Sequence, residues 1–422
     1  MSTLTITQAS CADDYDPNSM PVAKARAFIH QFLRPLRGTL RVPIRSALGR
    51  VLAEDIHSPV DVPSHRNSAM DGWAMRGADL KADADSTLAE IGVAFAGKPF
   101  NGKVGPGQCV RIMTGGVVPE GADTVVMQER AKASGKSIAI APGQKTGQNV
   151  REAGEDLKAG SLALKKGRIV RPAQLGLIAS LGIGEVAVYR PLRVAFFSTG
   201  DELKGIGTPL GEGEIYDSNR YTIHGMLTRL GCEVLDMGVV RDDPEALERA
   251  FADAAANADV VITSGGVSVG EADYVKQILD RLGEVLFWKI AMKPGRPLAY
   301  GRIGHAHFFG LPGNPVAVMV TFYQFVRDAL LTLQGQHTVA PLPTLKVPCT
   351  SAIKKAPGRT EFQRGILARA ADGQWTVRTT GDQGSGILSS MTQADCFIVL
   401  PTEAGNLPAG ALVDVQLLEG LV

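Results

Sequence analysis

The segment TSGGVSVGEADY, which runs from residue 263 to 274, has the composition of an anion-binding turn. It follows the apolar run DVVI and precedes a helical pattern, and ligands of open α/β sheets collect at the carboxyl ends of strands. Glycines let backbone N–H groups approach an anion, while hydroxyls and a helix N-terminus add further donors. The alternative is a tight strand–helix connection that needs glycine for steric reasons alone. The candidate binding residues are Ser264, Gly265, Gly266, Ser268 and Gly270.

Acidic side chains follow three of the predicted strands. Asp273 lies at the start of the helix after the glycine-rich turn, Glu202 lies in STGDEL, and Asp242 lies in RDDP. Carboxylates at parallel strand ends can converge, and Mg²⁺ is usually held by one or two of them together with phosphate oxygens. We therefore predict a metal site at these strand ends. Loop solvation and helix capping are the alternatives, and capping explains Asp243 better.

The segment KIAMKPGRP carries three cations, Lys289, Lys293 and Arg296. In an extended strand the two lysines point to the same face, because their spacing is even. Two ammonium groups on one face repel each other unless an anion or a carboxylate lies between them. The pattern therefore predicts an anion pocket, and a solvated edge strand is the alternative.

Three other loops are candidate contacts for a ligand. LPGNPVA contains Pro312, Asn314 and Pro315, of which Asn314 is a candidate N-cap and Pro315 a candidate first helical residue. HRNSAMDGWAM contains Asp71, and RIMTGG contains Thr114 at the end of a predicted strand. A plain turn or a helix start explains each loop about as well when it is considered alone.

The elements that must position these residues change in pattern along the chain. From residue 192 onward apolar strands alternate with helices, for which Asp217 and Asp243 are candidate N-caps, and the last helix is expected from Val316 to about Leu333. This alternation predicts a doubly wound, mostly parallel sheet with helices on both faces. A helix is expected near residues 20–34. Short apolar runs between glycines and prolines predict β-rich structure from about 45 to 190, and again after a proline-rich linker near 340.

Composition excludes several classes of function. The 44 Lys and Arg residues nearly cancel the 43 Asp and Glu residues, so the broad basic field that favours nucleic acid or anionic membranes is missing. We find no apolar run near 18 residues and no signal-peptide pattern, and we expect a cytoplasmic protein. The five cysteines are far apart and never form CxxC, so neither disulfides nor a zinc site are indicated.

Together these motifs resemble the MoeA-type molybdopterin molybdenumtransferases, the family of the gephyrin E domain. NSAMDG, RIMTG, GEDL, STGDEL, YDSN, SGGVSVGEADY, KPGRP, PGNP and FQRG occur in this order over about residues 50 to 390. Dinucleotide-binding, Walker A and nucleophile-elbow patterns are absent at the strand ends, so sugar-binding, kinase and dehydrogenase functions are not favoured.

The resemblance implies a multidomain α/β protein and a homodimer with shared active sites. Domain I would be discontinuous, with a helical linker character, over 15–50 and 158–190, and domain II would be β-rich over 51–157. Domain III, 191–340, would be a molybdopterin-binding domain like those of MoaB and MogA, and domain IV, 341–422, would be a β-barrel-like domain. Transient contacts with the adenylyltransferase and with proteins of molybdoenzyme maturation are also implied.

The resemblance further implies a reaction and a set of roles. Such enzymes take adenylylated molybdopterin and molybdate, cleave the adenylyl group with Mg²⁺ and release AMP. Glu202 and Asp273 would hold the ion, which neutralises charge on the cleaved phosphoanhydride, with help from Asp242. Residues 264–270 would cradle the pterin phosphate, and Asp71 and Thr114 would reach the site across the dimer interface. The oxyanion site would comprise Lys289, Lys293, Arg296, Arg364 and Ser385.

One residue departs from the family pattern, and two rival functions remain. Arg296 is often Lys in the family, and the planar guanidinium of Arg could change oxyanion selectivity. A molybdopterin adenylyltransferase shares the GGVS and PGNP turns, but it accounts for only the middle third of the chain. A gephyrin-like scaffold that acts by binding is the other alternative, although the acidic residues are intact and no receptor-binding linker is visible.

Overall fold

The computed structural model describes residues 6, 19–36, 38–266 and 272–418, and only the backbone of 272–274. The chain forms two compact units. The large unit takes in the chain up to Arg41, Gly49–Ala53 and the chain from Ala187 onward, while the small unit comprises Val42–Leu48 and Glu54–Val186. The finer division into four domains stays a prediction.

From residue 19 onward, the first described elements are helix α1 (Val22–Phe32) and strand β1 (Thr39–Pro43), and the helix agrees with the predicted one. The small unit is β-rich, as predicted, with one α-helix, α2 (Pro172–Ser180), among its described residues. Its strands are β2 (Ile56–His57), β3 (Asn67–Ser68), β4 (Gly72–Met75), β5 (Ser86–Ala94), β6 (Gln108–Ile112), β7 (Thr124–Met127), β8 (Ala131–Ser134), β9 (Ser137–Ile140), β10 (Val150–Arg151) and β11 (Leu162–Leu164).

Six strands of the small unit form a sheet in the order β7-β4-β6-β5-β9-β8. Alternate residues of its strands point to opposite faces, so Trp73 and Met75 of β4 pack in one apolar cluster and Ala74 packs in another. Both faces of this sheet are therefore covered, and β4 and β6 are held as rigid neighbours.

In the large unit, β12 (Glu185–Tyr189) leads into the predicted alternation of strands and helices. The strands are β13 (Arg193–Thr199), β14 (Leu203–Lys204), β15 (Ile215–Tyr216), β16 (Glu233–Val240), β17 (Val260–Ser264), β18 (Gly283–Lys289), β19 (Met292–Lys293), β20 (Pro297–Ile303) and β21 (Ala306–Leu311). The helices are α3 (Ser218–Arg229), α4 (Pro244–Asn257), α5 (Ala272–Leu282), α6 (Pro315–Thr321) and α7 (Arg327–Leu333).

The central sheet has the order β16-β13-β17-β21-β20-β18. The first four strands are parallel, and β20 and β18 extend the sheet in antiparallel fashion. Helix α3 packs in the apolar cluster on one face and α4 in the cluster on the other, which confirms the doubly wound, mostly parallel fold. Strand order reverses at β13, so the crevice between the ends of β13 and β17 is the expected ligand site.

The predicted helix caps of this unit are confirmed. Asp217 accepts a hydrogen bond from the backbone N–H of Arg220, and Asp243 accepts one from the N–H of Ala246. Asn314 is the N-cap residue of α6, with Pro315 at the first helical position, but its side chain makes no capping hydrogen bond.

The interpretation of KIAMKPGRP as one strand is wrong. Strand β18 ends at Lys289, the chain bends at Ala291, and β19 pairs with a strand of the C-terminal sheet instead. Because the bend separates the two short strands, the even spacing of Lys289 and Lys293 does not place both ammonium groups on one face.

The C-terminal part of the large unit is β-barrel-like, as predicted. Its elements are β22 (Thr344–Pro348), β23 (Thr360–Arg369), β24 (Trp375–Thr379), β25 (Cys396–Leu400), β26 (Leu412–Leu417) and the short helix α8 (Ser389–Gln393). The sheet order is β19-β23-β25-β26-β22, with β24 also paired to β23. A bridge between Cys349, just after β22, and Val377 of β24 connects the ends of the curled sheet.

The last helix of the alternating segment is present where it was predicted, but its apolar length was not anticipated, because no apolar run near 18 residues was expected. The 19 residues Pro315–Leu333 have a mean hydropathy of 1.4 and would satisfy the length and composition of a membrane span. The helix comprises α6, a π-helical turn (Phe322–Val326) and α7. Of its apolar stretch of 18 residues, 78% is buried within the protein. Packing in the core of the large unit accounts for its apolar composition.

Four described cysteines are free thiols: Cys109, Cys232, Cys349 and Cys396. Burial raises the pKa of Cys109, Cys232 and Cys396 to about 12. These three side chains are therefore protonated near neutral pH and act as small apolar groups.

A partly buried ion pair fixes the beginning of β17. Arg190 donates two hydrogen bonds of 2.7 Å to the carboxylate of Asp259, which also accepts the backbone N–H of Arg193 at 2.9 Å. Burial opposes ionisation of Asp259, but these hydrogen bonds and the charge of Arg190 outweigh it and lower the pKa of Asp259. The carboxylate therefore stabilises the fold as an anion.

We expect Asp259→Ala to lower the free energy of unfolding by about 3 kcal/mol at pH 7, because it leaves Arg190 partly buried without its anion. Urea denaturation measures this change. Because the folded pKa is depressed, the stabilisation is present above the unfolded pKa and is lost as pH falls through the folded pKa. The difference between the variant and the natural chain should therefore shrink in strong acid.

The control is Glu233→Ala, which removes the exposed ion pair with Arg193, whose side chains are 61% and 62% exposed. This variant should lose less than about 1 kcal/mol. Equal losses for the two variants would show that the Arg190–Asp259 pair does not anchor the strand.

Candidate active site

A cavity of about 1390 Å³ opens where the four parallel strands of the central sheet end. Thr199 ends β13, Asp242 follows β16, Ser264 ends β17, and Pro312 follows β21. The volume exceeds that of a typical pocket for one small ligand, so the cavity has room for a large or composite substrate.

Close approach of the strand ends requires glycine at position 265. Gly265 has φ +91°, and a Cβ atom there would lie 2.6 Å from the carbonyl oxygen of Thr199 and 3.0 Å from its hydroxyl oxygen. Its N–H donates to the carbonyl of Leu311 at 3.1 Å. Glycine at this position therefore permits both the left-handed backbone conformation and the close packing of the strand ends. The steric explanation for the glycines of this turn thus holds for Gly265.

Asn219, on the first turn of α3, connects three elements that surround the cavity. Its amide Nδ2 donates to the hydroxyl of Ser264 at 2.9 Å and to the carbonyl of Gly313 at 2.6 Å. The side chain is 8% exposed. These hydrogen bonds fix the ends of β17 and β21 relative to α3.

Two of the predicted acidic residues line this cavity. Glu202 follows β13 and Asp242 follows β16, and the backbone N–H of Asp242 donates to Asp201 at 3.4 Å. The side chain of Asp273, the third predicted acid, lies outside the described residues, although its backbone belongs to α5. Within the described part of the chain, His, Cys, Asp and Glu do not form a cluster of three able to hold a metal.

Basic side chains from the segment that joins the two sheets and from the C-terminal barrel line the same cavity. Lys293 of β19, Arg296 and Arg359 line it. Lys293 Nζ lies 3.9 Å from Glu361, whose carboxylate is buried and also accepts a hydrogen bond of 3.0 Å from Gln363. Glu361 compensates part of the Lys293 charge and orients the ammonium group.

Arg364 is completely buried at the back of the loop 382–386, which lines the cavity. Its Nε donates to Ser390 Oγ at 2.9 Å, and its Nη2 donates to the carbonyl of Gly384 at 2.9 Å. Burial lowers the pKa of the guanidinium, which the charge of Asp382 partly offsets. The described contacts make Arg364 a positioning residue for this loop.

In the small unit, Asp71 and Thr114 come together because Asp71 precedes β4 and Thr114 follows its antiparallel neighbour β6. Asp71 Oδ1 accepts the backbone N–H of Thr114 at 2.7 Å and its hydroxyl at 2.8 Å. The hydrogen bond from the backbone N–H of Thr114 contributes most to lowering the pKa of this exposed carboxyl, and the bond from the Thr114 hydroxyl lowers it further. Asp71 is therefore an anion of fixed orientation.

Comparison with known proteins gives a consistent assignment. Residues 20–182 match the MoeA N-terminal region (domain I and II), 195–332 match a "Probable molybdopterin binding domain", and 346–418 match the MoeA C-terminal region (domain IV). The molybdopterin molybdenumtransferase of Haemophilus influenzae is 47% identical over 374 residues, which are 88% of this chain and 92% of that protein. The chain belongs to the MoeA family.

Other relatives agree with this assignment. The molybdopterin molybdenumtransferase of a Nostoc species is 37% identical over 85% of this chain and 84% of its own. The crystal structure of the molybdopterin biosynthesis moeA protein from Pyrococcus horikoshii has a TM-score of 0.80 and 30% identity, and it covers 95% of this chain and all of that one. The predicted family and fold class are confirmed.

Most of the predicted site residues of this MoeA-family chain that the structure describes line one cavity. They are Glu202, Asp242, Ser264, Gly265, Gly266, Lys293, Arg296, Pro312, Asn314, Pro315 and Ser385. Ser268 and Gly270 lie outside the described residues. Lys289 is not among the residues that line the cavity, since β18 ends before the bend at Ala291.

Sequence reasoning missed several residues that line the cavity: Thr199, Asp217, Asn219, Arg359, Asp382 and Gln383. Asp217 was predicted only as a helix cap, although YDSN is one of the family motifs. Arg359 lies in the turn directly before β23, and no spacing or motif in the sequence indicated that it would line the cavity.

We expect Arg364→Lys to lower the free energy of unfolding by about 2 kcal/mol. The reason is that one ammonium group cannot replace the separate N–H groups of the guanidinium, which donate to the loop 382–386 and to Ser390. Hydrogen exchange of residues 381–387 should become faster in the variant, and urea denaturation gives the stability.

The matched control is Arg369→Lys, an exposed position on the same strand whose guanidinium lies 5.5 Å from the ring centroid of Trp375. We expect little change in stability and no change in exchange of the loop. Unaltered exchange in Arg364→Lys would contradict a positioning role for Arg364.

Proposed function

We propose that this protein transfers molybdenum to molybdopterin, using adenylylated molybdopterin and molybdate as substrates and releasing AMP. One observation carries the proposal: a single large cavity combines carboxylates at the ends of parallel strands with cations from the C-terminal barrel. A substrate with a pyrophosphate and a second oxyanion requires both kinds of group. Membership of the MoeA family supports the same reaction.

The acids fit a divalent cation at the phosphoanhydride. Glu202 and Asp242 follow the ends of β13 and β16, and Asp273 belongs to the first turn of α5, the helix that comes after β17 in the chain; hard oxygen ligands of this kind suit Mg²⁺. Mg²⁺ held by Glu202 and Asp273 would neutralise charge on the phosphates during cleavage. Asp242 orients the neighbouring loop through its backbone hydrogen bond to Asp201 and assists at the same end of the sheet.

The basic residues fit molybdate. Lys293, Arg296 and Arg359 supply positive charge, and the loop that carries Ser385 supplies polar groups held in place by Arg364. A tetrahedral dianion needs several convergent donors, and ionised donors make the stronger hydrogen bonds. The carbonyl of Ser385 accepts the N–H of Val316, so this loop is also connected to the start of α6.

We further propose that the active form is a homodimer with shared active sites, to which Asp71 and Thr114 contribute from the partner copy. Support comes from the exposed carboxylate of Asp71, which the hydrogen bonds from Thr114 hold as an oriented anion available to a partner copy.

For the reaction itself, we expect Glu202→Gln and Asp273→Ala to reduce Mg²⁺-dependent AMP release from adenylylated molybdopterin at least about 100-fold, since each removes a ligand charge at the phosphates. The assay mixes enzyme, adenylylated molybdopterin, molybdate and Mg²⁺, and AMP is quantified by chromatography. Glu233→Gln, at the opposite end of β16, is the matched control and should release AMP normally.

Normal AMP release by Asp273→Ala would remove the metal assignment. If the unmodified protein binds adenylylated molybdopterin without any turnover, the protein acts by binding alone and the proposed reaction is wrong.

The shared site gives a separate expectation. Asp71→Ala and Glu202→Gln should each be inactive, yet a mixture that is dissociated and reassembled should regain about a quarter of normal activity, since about half of the dimers then contain one intact site. Light scattering checks the oligomeric state. Absence of any recovery in a reassembled dimer would place all the catalytic groups of a site in one copy.

A further inference from the structure

Three buried oxygen atoms in residues that line the cavity have no hydrogen-bond partner among the described residues. They are Thr199 Oγ1, Asp217 Oδ2 and Asn219 Oδ1. Their residues are 6%, 3% and 8% exposed. A buried polar atom without a partner is costly, so it indicates a ligand that completes the hydrogen bonds.

The orientation of the Asn219 amide is fixed by its neighbours. The carbonyl of Gly313 lies 2.6 Å from Nδ2, and a carbonyl oxygen can only accept, so the NH₂ group must be on that side. The amide oxygen Oδ1 is therefore the unpaired atom, and it can only accept a hydrogen bond.

Asp217 presents a second acceptor of the same kind. Its Oδ1 accepts the backbone N–H of Arg220 as the N-cap of α3, which leaves Oδ2 without a partner in the described chain. Asp217 and Asn219 both line the cavity at the start of α3, so each can present its unpaired acceptor to a ligand there. A ligand group that lies here must present hydrogen-bond donors.

The substrates differ in what they can present. Molybdate and phosphate groups carry acceptor oxygens and negative charge, so the Asp217 carboxylate repels them. Adenine offers one amino group beside an acceptor nitrogen. A pterin offers a ring N–H and a 2-amino group on one edge, so it presents donors for more than one acceptor.

We infer that Asp217 and Asn219 bind the 2-amino-4-oxopyrimidine edge of the pterin ring and thereby determine which heterocycle the cavity accepts. This inference rests on the proposed function, since it names the part of the cavity in which the pterin lies. Thr199, whose hydroxyl can donate or accept, completes the polar surface beside Gly265 and Gly266. The phosphate groups and molybdate would then bind in the part of the cavity that is lined by Lys293, Arg296 and Arg359.

The test compares two simple heterocycles, 6-methylpterin and 6-methyllumazine, at a pH where both are neutral. Lumazine carries an oxygen in place of the 2-amino group. We expect the natural chain to bind the pterin about 10- to 100-fold more tightly, because a site built for a donor is left with unpaired acceptors by the analogue. Fluorescence titration measures both affinities.

Asp217→Asn is the decisive variant. Asn is as good an N-cap as Asp, so its amide oxygen can still accept the N–H of Arg220 while its NH₂ group replaces Oδ2. We expect the preference for pterin over lumazine to fall at least about 10-fold or to reverse, because an acceptor has become a donor. Asp243→Asn makes the same change at the N-cap of α4, whose carboxylate does not line the cavity, and should keep the natural preference.

Equal binding of pterin and lumazine by the natural chain would overturn the inference, even if Asp217→Asn failed to fold. The titrations are repeated with Mg²⁺ and with a chelator. If Asp217→Asn alters only the Mg²⁺ dependence and leaves the pterin preference unchanged, the acceptors hold a cation and the inference is wrong.

Failure of the inference and failure of the proposed function give different results. AMP release without discrimination between the heterocycles would leave the function standing and remove the role of Asp217 and Asn219. Selective pterin binding without AMP release would keep the pterin site and remove the transferase reaction.

Discussion

The carboxyl ends of four parallel strands must lie at one edge of the central sheet, and every group proposed to act on substrate depends on that constraint. The edge is made compact by Gly265, since a side chain there would collide with Thr199. It is made rigid by Asn219, which donates to Ser264 and to Gly313 from the start of α3. Without these contacts, acids that are far apart in the sequence would have no fixed separation.

Most of the charges that line the cavity divide by their origin in the fold. Glu202 and Asp242 follow strands of the central sheet and Asp217 caps α3, whereas Lys293 and Arg359 are carried by β19 and by the turn before β23. The acidic exception is Asp382, which lies on a loop of the C-terminal barrel. The bend at Ala291 makes this division possible, because it moves the chain from the central sheet into the barrel within two residues. Buried Glu361 then limits the repulsion between Lys293 and the other cations.

Much of the large unit could be predicted from the sequence because its signals are local. Apolar runs bounded by caps such as Asp217 and Asp243 predict strands and helices, and the alternation of these elements predicts parallel strands with converging ends. The position of Gly265 after β17 followed from the same pattern. The family resemblance supplied roles for residues that no local pattern could assign, among them Arg364 and Ser385.

What could not be predicted depends on tertiary contacts. The even spacing of Lys289 and Lys293 assumes a continuous strand, and the pairing of β19 with β23 breaks that assumption. The burial of Arg364 follows from a loop that folds over it 18 to 20 residues later in the chain. The apolar character of Pro315–Leu333 has its cause in the core of the large unit, which periodicity alone does not reveal.

The unpaired oxygens of Thr199, Asp217 and Asn219 connect binding with stability. Each buried acceptor without a partner costs about 1–3 kcal/mol, and a folded domain has a net stability of only about 5–15 kcal/mol. The cost is tolerated because other contacts stabilise the sheet. The Arg190–Asp259 pair fixes the beginning of β17, the Asn219 hydrogen bonds fix the ends of β17 and β21, and apolar clusters cover both faces. A ligand group that donates to these atoms would restore the missing hydrogen bonds, so the proposed site would favour donors over acceptors. In the proposed assignment, the same rigid strand ends that would position the acids for the phosphates would also present these acceptors to the heterocycle.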